Sequence, residues 1–71
     1  MKKLLIVGAG GFGRELYAWA GQHPDCGRQW QLAGFLDDNP EALKAFGSFA
    51  PVFPLAGHRP AADHLYLVGL G

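Results

Sequence analysis

Cysteine is nearly absent from this chain: Cys26 stands alone, so no intrachain disulfide can staple it. No Cys/His grouping has the spacing of a zinc site either. Charge of one sign is also missing. Six Lys and Arg offset six Asp and Glu to a formal net charge of zero, leaving no electrostatic footprint for nucleic acid or an anionic membrane surface. No apolar run approaches the ~20 residues of a membrane span. Lys2-Lys3 followed by Leu4 to Val7 starts like a secretory leader, but the run breaks at Gly8, short of the roughly 7–15 apolar residues a leader needs. A cytoplasmic protein is expected. No Ser/His/Asp set and no paired carboxylates stand out, so the chain offers a binding site without an evident catalytic centre. His23, His58 and His64 fall in or beside loops and read as surface residues, and Cys26 lacks a neighbour that would make it a nucleophile.

What is present is a globular composition, 49% hydrophobic and 17% charged, in 71 residues. That length allows one domain, and such a chain buries only about 60% of its unfolded surface. Residues 3–8 are apolar after Lys3, as in a parallel strand covered on both faces. A helical pattern runs from Phe12 to about Gln22, with Phe12, Leu16, Trp19 and Ala20 on the apolar face and Trp19 in the core. A second strand is expected over roughly Gln31 to Leu36. Asn39-Pro40-Glu41 has the chemistry of a helix start, predicting a short helix to about Ala45 or Phe46. The prolines of Pro51-Val52-Phe53-Pro54 restrict that stretch to a brief strand. His58 to Asp63 reads as loop or a single turn, and the apolar stretch from His64 as the last strand.

This order predicts an α/β fold, a small Rossmann-like parallel sheet. Right-handed crossovers arrange its strands 3-2-1-4, with ligands bound in the crevice at the carboxyl ends. At one such end stands "LLIVGAGGFGRE". Gly8, Gly10 and Gly13 fit the spacing G-x-G-x-x-G on a strand-to-helix turn, which is a phosphate-binding device. Gly8 permits the turn, Gly10 lets backbone N–H groups approach an anion, and Gly13 lets the helix close on the sheet. Arg14 opposes the helix dipole in the first turn, a conflict that a bound phosphate would remove. Asp37 ends strand two, near where dinucleotide folds place an acid against ribose hydroxyls; turn and capping chemistry would also suit Asp37, and Asp38 more so.

Together "KKLLIVGAGGFGRE", "GFLDDNP" and the closing "VGLG" resemble the N-terminal domain of bacterial sugar O-/N-acyltransferases, the group of sialic acid O-acetyltransferases and bacillosamine-pathway acetyltransferases. The resemblance spans nearly the whole of residues 1–71. It implies that this domain holds a UDP-linked nucleotide-sugar. Gly8, Gly10, Gly11, Phe12 and Gly13 would approach the diphosphate or the sugar, and Asp37 and Asp38 the uridine. Gly69-Leu70-Gly71 would line the same crevice. Relatives often carry histidine where this chain has Phe12. The resemblance further implies a C-terminal left-handed β-helix, absent from these residues, that binds acetyl-CoA, carries the catalytic histidine and builds a homotrimer. The 71 residues alone are expected to lack transferase activity.

Two other functions fit the same residues: an NAD(P)-binding fragment of a dehydrogenase or redox sensor, and a domain that binds nothing and serves packing or oligomerisation. Strand four ends at the end of the chain with no helix after it. A piece of a longer protein, or a domain completed by another chain, is therefore expected. Strand four is expected to be central, with the fragment self-associating through an uncovered sheet face at Leu65, Leu67, Val68 and Val52-Phe53.

Overall fold

The structure is a computed structural model that describes residues 1–70. Gly71, expected to line the crevice, lies outside the described residues. The apolar run of the first strand becomes β1 (Lys2–Val7), whose Leu4, Leu5 and Ile6 are all buried. Helix α1 (Gly11–Gln22) follows, then β2 (Trp30–Leu36), β3 (Val52–Phe53) and β4 (His64–Val68). All strands run parallel in the order β3-β2-β1-β4, the arrangement that right-handed crossovers dictate.

Gly13, Leu16, Tyr17 and Ala20 recur at i, i+3, i+4 and i+7 on α1 and face the sheet: Gly13 and Ala20 are buried, Leu16 and Tyr17 half-buried. There they meet Ile6, Leu32 and Phe35. Tyr17 stacks on Phe35 with ring centroids 4.9 Å apart, and burial raises its hydroxyl pKa. The expected apolar face was rotated by part of a turn. Phe12 is 44% and Trp19 62% exposed, so Trp19 is not core. The reason is steric. Only glycine fits where α1 approaches the end of β1, so position 13 points inward and fixes the rotation of the whole helix.

Phe35, Ile6, Leu36 and Leu43 form the most deeply buried set. Each contributes about 1.5–3 kcal/mol by leaving water. Bringing Phe35 to the helix side requires an irregularity. Leu4 pairs with Leu32, yet Leu5 pairs with Gly34, so Ala33 is an extra residue in β2. Gly34 has φ +140°, and a Cβ there would lie 2.6 Å from the carbonyl oxygen of Pro51, the residue whose oxygen accepts from Phe35 N–H.

Two further expectations are corrected. The helix after Asn39 is a set of turns followed by a single 3₁₀ turn, Lys44–Phe46. Asn39 does cap, its side-chain oxygen accepting from Glu41 N–H at 3.0 Å, but the bonds that follow are of the tighter i→i+3 kind, Lys44 N–H to Glu41 C=O at 3.0 Å and Phe46 N–H to Leu43 C=O at 2.9 Å, in place of an α-helical ladder. Strand β4 is at an edge of the sheet, paired with β1 alone, rather than central. Among the described residues no helix is long and apolar enough to cross a membrane.

Candidate functional site

The carboxyl ends of β1, β2 and β4 converge on the glycine turn. Gly8 N–H donates to Leu36 C=O at 2.8 Å, and Gly69 N–H donates to Val7 C=O at 2.7 Å, so the turn is stitched to both neighbouring strands. Gly8 takes φ +94°, which lets the chain leave β1 and enter α1 within a few residues. Gly13 then lies directly on Gly8, and Gly69 lies on Gly13: a Cβ on Gly69 would come 2.6 Å from the Gly13 Cα. Gly8, Gly13 and Gly69 thus form a sterically closed floor.

Above that floor the geometry is open. A Cβ on Gly10 would meet no atom within 4 Å, and Gly10, Gly11 and Phe12 are exposed. Gly10 is the N-cap of α1 and has no side chain to satisfy the helix. The first intrahelical bond runs from Arg14 N–H to Gly10 C=O at 2.9 Å. The N–H groups of Gly11, Phe12 and Gly13 therefore precede the helical ladder, at its positive end. Such an end accepts an anion.

Asp37 stands where the sequence places it, at the end of β2, and its role is structural in the first instance. One carboxylate oxygen accepts from Ala9 N–H at 2.9 Å and the other from Asn39 N–H at 2.9 Å. These backbone donors hold its pKa below the ordinary carboxylate value, Asn39 first and Ala9 second, against a smaller opposing effect of burial. Asp37 thereby braces the glycine turn against the β2 end. Asp38 is exposed and accepts from Ala56 N–H at 2.7 Å, tying down the segment between β3 and β4. Both carboxylates keep lone pairs for a further donor.

Arg14 donates to Ala9 C=O at 3.1 Å, and its guanidinium lies 3.8 Å from the Phe46 ring centroid. The conflict with the helix dipole is therefore met by a carbonyl and an aromatic face. Sequence reasoning did not single out Phe46, because nothing in the spacing between positions 14 and 46 signals the contact. It also missed a cluster on the opposite sheet face. There His58 Nε2 is 2.7 Å and His64 Nδ1 3.0 Å from the Tyr66 hydroxyl. His64 and Tyr66 sit two apart on one strand and so share a face, a signal that was available; His58 arrives from a loop and gave none. A cavity of about 700 Å³ bordered by Lys3, Leu5, Phe53, His58 and His64 lies on that same face, away from the glycine turn.

Because the Asp37 brace is electrostatic, stability should depend on pH. The folded pKa is lowered, so the stabilisation is present above the unfolded value of about 3.9 and is lost as pH falls through the folded one. Asp37→Asn is expected to be about 1–2 kcal/mol less stable than the parent at pH 7, since each bond involves a charged but partly exposed acceptor. The gap should close towards pH 2. Urea unfolding of both proteins across that range checks it; a gap that does not change with pH would remove the charge from the explanation.

A parallel sheet with a glycine-rich turn feeding an uncapped helix, and an acid at the end of the neighbouring strand, defines a small Rossmann-like domain with an open helix N-terminus at its carboxyl edge. Within that class the match is specific. Residues 3–68 match the PglD N-terminal domain, and the chain belongs to that family, the N-terminal domain of PglD-type sugar acetyltransferases. Neither the curated proteins nor the solved structures include a match to this chain.

Proposed function

We propose that this domain holds the nucleotide-sugar substrate of a sugar acetyltransferase, with a UDP-linked amino sugar as the ligand. The observation that carries the reading is the N-terminus of α1: free of a capping side chain, open above Gly10, and fixed in place by Asp37. Membership of the PglD N-terminal domain family supports it. In this reading the diphosphate lies over the N–H groups of Gly11, Phe12 and Gly13. Arg14 turns from Phe46 toward the phosphates. Asp37 and Asp38 accept from the ribose or the uracil through lone pairs not used by the backbone. Gly8, Gly13 and Gly69 serve the ligand only by setting the floor. Acetyl-CoA, the catalytic base and a homotrimeric assembly belong to the complete enzyme, which works in the cytoplasm.

The amides of residues 10–13 report on this directly, whereas Trp19 is exposed on the side of α1 and is a poor probe. Titration of the ¹⁵N-labelled chain with UDP, a UDP-amino-sugar and NAD is expected to shift the Gly10 to Gly13 amides with the uridine ligands and not with NAD. Shifts with NAD alone would point to a dinucleotide domain. No shift with any of them would leave a packing domain.

A further inference from the structure

On the sheet face opposite α1, the segment that joins β3 to β4 is closed by a chain of hydrogen bonds. His58 Nε2 lies 2.7 Å and His64 Nδ1 3.0 Å from the Tyr66 hydroxyl. His64 Nδ1 also accepts from Ala61 N–H at 3.2 Å, while His64 N–H donates to Ala61 C=O at 3.0 Å. Ala61 and His64 thus close one turn reciprocally. Every group in this chain lies between His58 and Tyr66, so local residues alone set the arrangement.

The proton inventory has one solution. Only a bare Nδ1 can accept from Ala61 N–H, so neutral His64 carries its proton on Nε2. The Tyr66 hydroxyl has one proton and directs it at the same bare nitrogen; otherwise two lone pairs would face each other at 3.0 Å. The Tyr66 oxygen then accepts from His58, which fixes the proton of His58 on Nε2. The chain runs from His58 Nε2–H to Tyr66 O–H to His64 Nδ1, which Tyr66 and Ala61 share. The two histidines therefore play opposite parts. A second proton on His58 goes to Nδ1 and leaves its bond to Tyr66 intact. A second proton on His64 goes to Nδ1 and sets a donor against Ala61 N–H.

We propose that His64 is a pH-sensitive latch on the segment between β3 and β4: its neutral form holds the turn at Ala61, and its protonation opens that turn. Imidazole is the side chain whose charge changes most readily between pH 5 and 8. Lys3, the β1 residue in register with His64, and Arg59 border the same cavity as His64. His58 stacks on the His64 ring with centroids 5.5 Å apart. Cations at these positions lend no support to a proton on His64. Asp63 is the one carboxylate within 4 Å of a His64 ring nitrogen among the described residues. It stands 3.9 Å from Nε2 and is exposed, and a pair of that kind contributes little. The bonds need the neutral form, so they are complete at alkaline pH and lost as pH falls through the imidazole range. What the latch releases is the segment that Asp38 holds from its other end, through Ala56 N–H at 2.7 Å. The proposal is independent of what the glycine turn binds.

Urea unfolding between pH 8 and pH 5 tests this, a window above the acid range in which Asp37 matters. His64→Asn puts an oxygen in the place of Nδ1, an acceptor for Ala61 N–H and the Tyr66 hydroxyl that takes up no proton. On acidification across the window, the unfolding constant of the parent should rise about tenfold more than that of His64→Asn. His58→Gln keeps an N–H donor toward Tyr66 and should follow the parent. His23, whose Nδ1 accepts from Asp25 N–H, is common to all three proteins and cancels. Nuclear magnetic resonance of the parent supplies a test that needs no variant. The protection factor of the Ala61 amide should fall about tenfold as the His64 ring ¹⁵N signals report protonation at Nδ1. An Ala61 amide unchanged through that titration would overturn the proposal. So would equal pH dependence in the parent and His64→Asn, or its loss in His58→Gln.

Discussion

Gly13→Ala is expected to destabilise the fold by about 3 kcal/mol or more. A Cβ at position 13 would run into the Gly8 carbonyl oxygen and come within 2.9 Å of the carbon that bears it. Both groups are backbone, so no rotamer change relieves the contact. Gly8 cannot retreat, since its N–H is bonded to Leu36 and its φ of +94° is set by the turn. Nor can α1 lift away without uncovering Leu16, Tyr17 and Ala20 together. Overpacking alone costs about 1–3 kcal/mol, and a clash of this kind belongs at or beyond the upper end. A domain of this size has only roughly 4–10 kcal/mol of stability in all. Far-UV circular dichroism with urea unfolding measures the effect. A loss below about 1 kcal/mol would mean that the helix tilts freely, and that the floor formed by Gly8, Gly13 and Gly69 is softer than its contacts imply.

Gly10→Val should behave in the opposite way, keeping the fold and abolishing binding. Gly10 has φ −74° and ψ −169°, an extended conformation that valine favours, and its Cβ would enter empty space. The change in stability should stay within about 1 kcal/mol, the usual penalty for a poor N-cap. That same empty space is where the proposed diphosphate sits. A branched side chain there would hold the phosphates away from the N–H groups of Gly11, Phe12 and Gly13. A loss of affinity for a UDP-sugar of at least 100-fold, about 2.7 kcal/mol, is expected by calorimetric titration. If the folded variant bound like the parent, the helix N-terminus would not be the anion site.

The strand order was legible in the sequence because it depends on few things: apolar runs of strand length, crossovers of one hand, and glycines at the one turn that needs them. The rotation of α1 was not. Hydrophobicity favours the face of Phe12 and Trp19, but burial is decided by which residue is small enough to touch β1, and a pattern of apolar residues does not weigh an absent side chain. Asp37 was legible as a position, with turn chemistry and a ligand contact both open as its role. Its spacing from the glycine turn suggested a ligand contact, while the bonds to Ala9 and Asn39 show a brace. The helix expected after Asn39 failed for a local reason. Its cap is present, but the N–H groups of Ala42, Lys44 and Phe46 close tighter three-residue turns onto Asn39, Glu41 and Leu43 instead of an α-helical ladder. The pairing of Arg14 with Phe46 arises from loops meeting in space, which no spacing rule encodes.

The extra residue in β2 bears on how this chain can change in length. Leu32 and Phe35 both pack on the helix side, although an odd separation would send them to opposite faces of a regular strand. The irregularity at Ala33 and Gly34 converts that odd count into an even one. Deleting Ala33 would restore a regular ladder with Leu32 and Phe35 still on the same side, so a one-residue loss there is absorbed. The same loss between Gly34 and Phe35's neighbour Leu36 would reverse the strand's end and turn buried side chains to solvent. Homologous chains that differ in length inside this strand should therefore differ at positions 33 and 34, leaving the segment that leads to Asp37 constant in length.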